Sequence, residues 1–141
     1  MVEDSYILIC AYRIVRDLNR STARICAANG LTFPQFQVLE ALLHKGGMTV
    51  GKIREAVLSS NGTIPVVIGN LQKMGLVQRE KDLVDRRKSI VTLTEQGKEV
   101  IERICPENDA MIAEKFGVWT IDDKRELIRL FKAYRRESIK T

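Results

Sequence analysis

A chain of 141 residues, 45% hydrophobic and 29% charged, has the size and balance of one globular domain with a single core, which excludes a disordered or membrane-embedded protein. The net charge of +5 gives only a weak pull toward polyanions, so where the basic residues cluster matters more than their number. Three cysteines at irregular spacing and a single histidine argue against a disulfide framework or a finger-like zinc site and suit a reducing, cytoplasmic setting. The opening stretch SYILICAYRIVRDLNRS is interrupted by Arg13, Arg16 and Asp17, so neither a membrane span nor a signal peptide is expected.

From Asp4 to about Asn29, apolar residues recur at Ile7, Ala11, Ile14, Leu18, Ile25 and Ala28, predicting one long amphipathic helix stopped by Asn29-Gly30. A second helix follows in LTFPQFQVLEALLHKGG, with Thr32 as cap, Pro34 in the first turn and Phe36, Val38, Leu39, Leu42 and Leu43 facing inward. Thr49 caps a short third helix with Val50, Ile53, Val57 and Leu58 inward. In SSNGTIPVVIGNLQKMGLV, Ser60 or Asn61 is the expected cap of a fourth helix, Ile64, Val67, Ile68 and Leu71 are its buried face, and Gly75 is its stop. The pattern then changes to two β-branched segments, LVQREK and KSIVTLT, joined by DLVDRR: a hairpin with a charged tip. Thr94 caps a fifth helix whose stripe is Val100, Ile101, Ile104, Met111, Ile112 and Phe116, and Pro106 is expected to kink or break it near Arg103. A last helix opens with a capping box, Thr120 with Asp123, and presents Leu127, Ile128, Leu130, Phe131 and Tyr134.

Two short helices in succession followed by a hairpin are the order of a winged helix-turn-helix. The fold class expected is therefore mainly α with a small β-wing. Residues 31–93 form the winged body, and residues 4–29 and 94–139 form long terminal helices within a single domain spanning 1–141. Those terminal helices are too apolar on one face to stand alone, and pairing them across a twofold axis would supply a second core. A homodimer would also set two recognition helices about 34 Å apart, the spacing of a palindromic operator in double-stranded DNA.

The segments LTFPQFQVLEALLHKGG, LSSNGTIPVVIGNLQKMGLVQR and, most specifically, DRRKSIVTLTEQGKEV resemble the MarR family of bacterial transcription regulators, and the resemblance covers nearly the whole chain. ICPENDAMIAEKFG is similar to the Phe-Pro-x-His segment of a branch responsive to quinones and phenols, with Cys105 and Asn108 at the usual Phe and His. The resemblance implies a homodimeric repressor released from DNA by a small, aromatic ligand. By residue, it assigns Asp85 to orienting an arginine and gives the roles at the wing tip to Arg86 and Arg87, the second arginine entering the minor groove. Leu83 and Val84 depart from the more polar tip of the family. On the recognition helix, Asn61, Gly62, Thr63, Pro65, Val66, Asn70 and Lys73 fall on the DNA side: Asn61 and Thr63 as hydrogen-bonding groups, Lys73 as a phosphate contact, Pro65 and Val66 as partners for thymine methyls.

Candidate ligand-lining residues are Tyr12, Phe36 and Met111. Cys10 raises an alternative, a redox-sensing regulator. It lies off the family's sensor position, and at about 24 Å from Cys26 along one helix it cannot pair with it, so a buried free thiol is the expectation. A second alternative is a winged helix that binds protein instead of DNA, which the cluster Arg86, Arg87, Lys88 disfavours. Glu40 and His44 stand at i and i+4 and could hold a metal, but with no other histidine a metal site is not expected, and the helix C-terminus accounts for His44. No cofactor is expected. No nucleophile-base pair or phosphate-binding loop points to an enzyme.

Overall fold

The computed structural model describes residues 2–57 and 63–140, without the side chains of 138–140. Leu58, Ser60, Asn61 and Gly62 lie outside the described residues. The chain divides into two compact units, Met1–Asn108 and Asp109–Thr141.

In the first unit, α1 (Glu3–Ala28) ends where Gly30, at φ 77°, lets the Leu31 N–H return to the Cys26 carbonyl. Helix α2 (Phe33–Lys45) begins with a full capping box: Thr32 accepts from the Gln35 amide, and Gln35 accepts from the Thr32 amide. A two-residue strand, β1 (Met48–Thr49), precedes α3 (Val50–Ala56), which Thr49 caps through the Lys52 amide. Helix α4 (Ile64–Lys73) follows, then β2 (Val77–Lys81) and β3 (Ser89–Leu93). The sheet has three antiparallel strands in the order β1-β3-β2, with Met48 opposite Val91 and Arg79 opposite the same Val91 on the other side. The two-strand hairpin expected from the sequence thus gains a third strand, because two residues ahead of α3 find partners on β3.

The core is a continuous cluster around Leu39, Ile53, Ile64, Ile68, Leu71, Ile101 and Ile104. It draws on α2, α3, α4, the sheet and the first half of α5 (Glu95–Phe116). Pro106 does not break α5, which is continuous from Glu95 to Phe116. Ile101, Ile104, Cys105 and Asn108 are buried around the proline while its own ring is exposed, so packing of one face outweighs the lost backbone hydrogen bond. The fourth helix has Thr63 at its cap position, and Pro65 sits in the first turn, where no helical N–H is missed. Asn108 accepts a buried hydrogen bond of 2.7 Å from the Thr22 hydroxyl, tying α5 to α1.

In the second unit, Phe116 and Trp119 stack at 5.1 Å between ring centroids. Helix α6 (Ile121–Lys140) begins with the expected capping box, Thr120 and Asp123 exchanging hydrogen bonds of 3.0 and 3.1 Å. Ile121, Ile128, Leu130, Phe131 and Tyr134 of α6 are exposed, as are Tyr6, Ile7, Leu8, Tyr12 and Val15 of α1. No helix among the described residues is long and apolar enough to cross a membrane.

Candidate nucleic-acid interface

Helix α4 has two chemically distinct sides. Ile64, Val67, Ile68 and Leu71 are buried, whereas Thr63, Pro65, Val66, Asn70 and Lys73 are exposed. Val66 leaves 64% of its surface in water, where a branched apolar side chain gains nothing. Asn61 and Gly62, also expected on this side, lie outside the described residues. Gly69 faces open space, with no heavy atom within 4 Å of where a Cβ would stand, so the helix surface is slim at its middle.

The seat of α4 is built at its C-terminal end by the Leu-Thr-Glu-x-Gly segment, Leu93 to Gly97. Gly75, at φ 75°, ends the helix, and its carbonyl accepts a 2.6 Å hydrogen bond from the Thr94 hydroxyl. The Thr94 N–H donates to the Leu76 carbonyl at 3.1 Å, and the Thr94 oxygen accepts from the Gly97 N–H at 3.0 Å, capping α5. Gly97 lies so close to Leu76 that a Cβ would stand 1.9 Å from the Leu76 carbonyl oxygen. The motif therefore joins the start of α5 to the end of the recognition helix. Gln72 on α4 adds a contact to the wing, accepting from Arg79 on β2 at 3.2 Å. Neither role was visible in the sequence pattern, where Thr94 reads only as a helix cap.

The wing tip, residues 82–88, is closed by the Asp82 N–H donating to the Lys88 carbonyl and the Lys88 N–H to the Asp85 carbonyl, each at 3.0 Å. Two aspartates shape it further. Asp82 accepts from the Val84 amide and Asp85 from the Arg87 amide, each at 3.1 Å, both being Asx turns. The Asp85 carboxylate also takes the Arg87 Nε at 3.3 Å. The resemblance gave Asp85 the orienting of one arginine and the groove to the next; in the structure the oriented arginine is Arg87 itself, because the Asx turn brings the side chain two residues on beside the carboxylate. A pair this exposed adds little stability. Its effect is to aim a guanidinium outward from the tip. Leu83 and Val84, 97% and 95% exposed, share that tip with the exposed Arg86, Arg87 and Lys88.

This arrangement of α3, α4 and wing matches known regulators. The family model of the SarA/Rot transcriptional regulators matches residues 21–104, more than half of the chain. The chain belongs to this family of transcriptional regulators. Among its relatives is the transcriptional regulator HosA of Escherichia coli O157:H7, 28% identical over 102 residues that cover 72% of this chain and 76% of HosA. A MarR family regulator from Silicibacter pomeroyi has a similar structure, with a TM-score of 0.82 at 26% identity over 93% of this chain and 88% of the other. The organohalide-sensing RdhR-CbdbA1625 regulator, solved with 2,4-dichlorophenol bound, has a TM-score of 0.80 at 16% identity over 97% of this chain and 82% of its own. The MarR resemblance of the sequence and the mainly helical winged fold are thus both found. The protein is a DNA-binding regulator of the MarR type, not an enzyme.

For a regulator of this family the remaining candidates fall in different places. Tyr12 is 69% exposed on α1, and Met111 is half-buried in the second unit. Phe36, expected at a ligand surface, is 2% exposed and packed wholly into the core of the winged body. Cys10 is half-buried rather than buried. Cys26 is fully buried, and burial pushes its thiol up to about 11, with the negative Glu40 adding to the rise, so it stays protonated and unreactive at neutral pH. Glu40 and His44 do lie on one face of α2, and α5 brings Cys105 to them: a donor atom from each lies within 4.8 Å of the others.

Proposed function

We propose that the protein is a cytoplasmic, homodimeric repressor that occupies a palindromic operator and is released when a small, aromatic molecule favours a geometry unsuited to DNA. The observation that carries the reading is the pairing of a recognition helix whose exposed side is Thr63, Pro65, Val66, Asn70 and Lys73 with a wing whose tip holds Arg87 outward. Asn61 and Gly62 belong to the contact set expected from the sequence and lie outside the described residues. Helix and wing address adjacent grooves, the helix for base edges and the arginine for the narrow minor groove. The large apolar residues left exposed along α1 and α6 support dimerisation, since extended apolar surface on a lone chain marks an interface. Ligand release rests on the MarR resemblance and on the chlorophenol held by a regulator of the same fold. It requires only that the compound bind the two geometries unequally.

Selection of bound sequences from a random DNA pool tests the reading. A twofold-symmetric site with half-sites about one helical turn apart is expected; an asymmetric site, or no enrichment, would remove the dimeric repressor. Arg87→Ala is expected to weaken binding to the selected site by about 1 to 3 kcal/mol, and an unchanged affinity would remove the wing from the interface.

A further inference from the structure

The cluster of Glu40, His44 and Cys105 is not used by DNA binding, and its chemistry is specific. The three side chains offer a carboxylate oxygen, an imidazole nitrogen and a sulfur, all within 4.8 Å of one another. In a tetrahedral zinc site with bonds of about 2.0 to 2.3 Å, ligand atoms stand roughly 3.3 to 3.8 Å apart. The cluster therefore needs to close by at most about 1 to 1.5 Å, within the reach of side-chain torsions. The burial is graded: Cys105 is buried at 8% exposure, Glu40 is half-buried and His44 is exposed, so the sulfur lies inside and the imidazole meets solvent.

A second observation comes from the neighbouring cleft, of about 190 Å³, which Gln37, Glu40, Ala41, His44 and Val57 line and the exposed Lys45 borders. Gln37 precedes Glu40 by three residues on α2, and its Oε1 is buried with no hydrogen-bond partner among the described residues. A hydrated cation would bring the O–H donor that this oxygen lacks.

We propose that Glu40, His44 and Cys105 form a three-ligand site for a divalent transition-metal ion of the zinc class, its remaining position open to water from the cleft. Thiolate and imidazole together select such an ion over the hard cations calcium and magnesium. Binding sends the Cys105 thiol proton to solvent, so affinity rises with pH. The ion would fasten α2 to α5 beside the end of α3, where Ala56 and Val57 border the same cleft.

The test is titration of the reduced, chelator-treated full chain with Co2+. One equivalent per chain is expected to give a near-ultraviolet thiolate-to-cobalt charge-transfer band that Zn2+ abolishes. Cys105→Ser should remove the band and Cys10→Ser should keep it. His44→Gln, at an exposed position that leaves the fold intact by circular dichroism, should lower Co2+ affinity at least about ten-fold. It should also remove the rise in melting temperature that Zn2+ gives the unaltered chain. Absence of the band at micromolar protein, its survival in Cys105→Ser, or a smaller affinity loss in His44→Gln would each overturn the site.

Discussion

Replacing Gly97 by alanine tests whether the start of α5 is truly joined to the end of the recognition helix. The added Cβ would stand 1.9 Å from the Leu76 carbonyl oxygen and 2.9 Å from its carbon, both backbone atoms that no rotamer can move. Ordinary contact begins near 3.4 Å, so the two backbones must part by about 1.5 Å. Overpacking of this kind costs about 1 to 3 kcal/mol. The same movement lengthens the two hydrogen bonds that Thr94 sends to Gly75 and Leu76, now 2.6 and 3.1 Å, each worth roughly 1 kcal/mol. Alanine recovers about 1 kcal/mol through its better helix propensity. The net expectation is a loss of about 2 to 4 kcal/mol, or a melting temperature lower by roughly 6 to 12 °C for a chain of this size. Urea unfolding followed by circular dichroism at fixed protomer concentration measures it, concentration being held because a dimer's stability depends on it. Gly69→Ala is the matched control: it is helical, meets nothing within 4 Å, and should gain about 0.5 to 1 kcal/mol. If Gly97→Ala proved as stable as the parent, or moved with Gly69→Ala, the joint would not exist as described.

Other outcomes follow from the same structure. Thr22→Val strands the Asn108 amide oxygen and should cost about 1 to 3 kcal/mol, most of it recovered when Asn108→Leu is added; a double variant no better than the sum of the singles would refute the pairing. Because the Cys26 thiol titrates at about 11 in the fold and near 9.0 when unfolded, stability is full below pH 9 and declines toward pH 11 as only the unfolded chain ionises. Alkaline urea titrations should show that decline and Cys26→Ala should flatten it; equal slopes would refute the assignment. Pro65→Thr should change which operators are bound while leaving stability within about 0.5 kcal/mol, read by competitive DNA selection and urea unfolding.

What could be read from the sequence was whatever is decided locally. The Thr32 and Thr120 caps and the positive-φ stops at Gly30 and Gly75 depend on residues within one or two turns, and all stand where the spacing predicts them. The apolar spacing of α4 also names its buried side correctly. Long-range pairing was out of reach. Strand β1 has two residues, too few for a period, and exists only because Val91 and Ile90 lie opposite. Pro106 obeys no local rule, since burial of its neighbours keeps α5 intact. At the wing the charges were legible, but the partner of Asp85 depended on a turn geometry that charge order does not encode. Cys105 meets Glu40 and His44 only through tertiary packing, and its cysteine read as a departure from a motif rather than as a donor.

The joint at Gly75 and Leu76 has a further consequence for how such regulators diverge. Thr94 grips main-chain carbonyls, so the anchor makes no demand on the identity of any outward side chain of α4. Exchanges at the exposed Thr63, Pro65, Val66, Asn70 and Lys73 therefore leave the Thr94 anchor of the helix in place. The outward chemistry of α4 and the footing that Leu93 to Gly97 gives it are physically separable, so the first can change while the second holds.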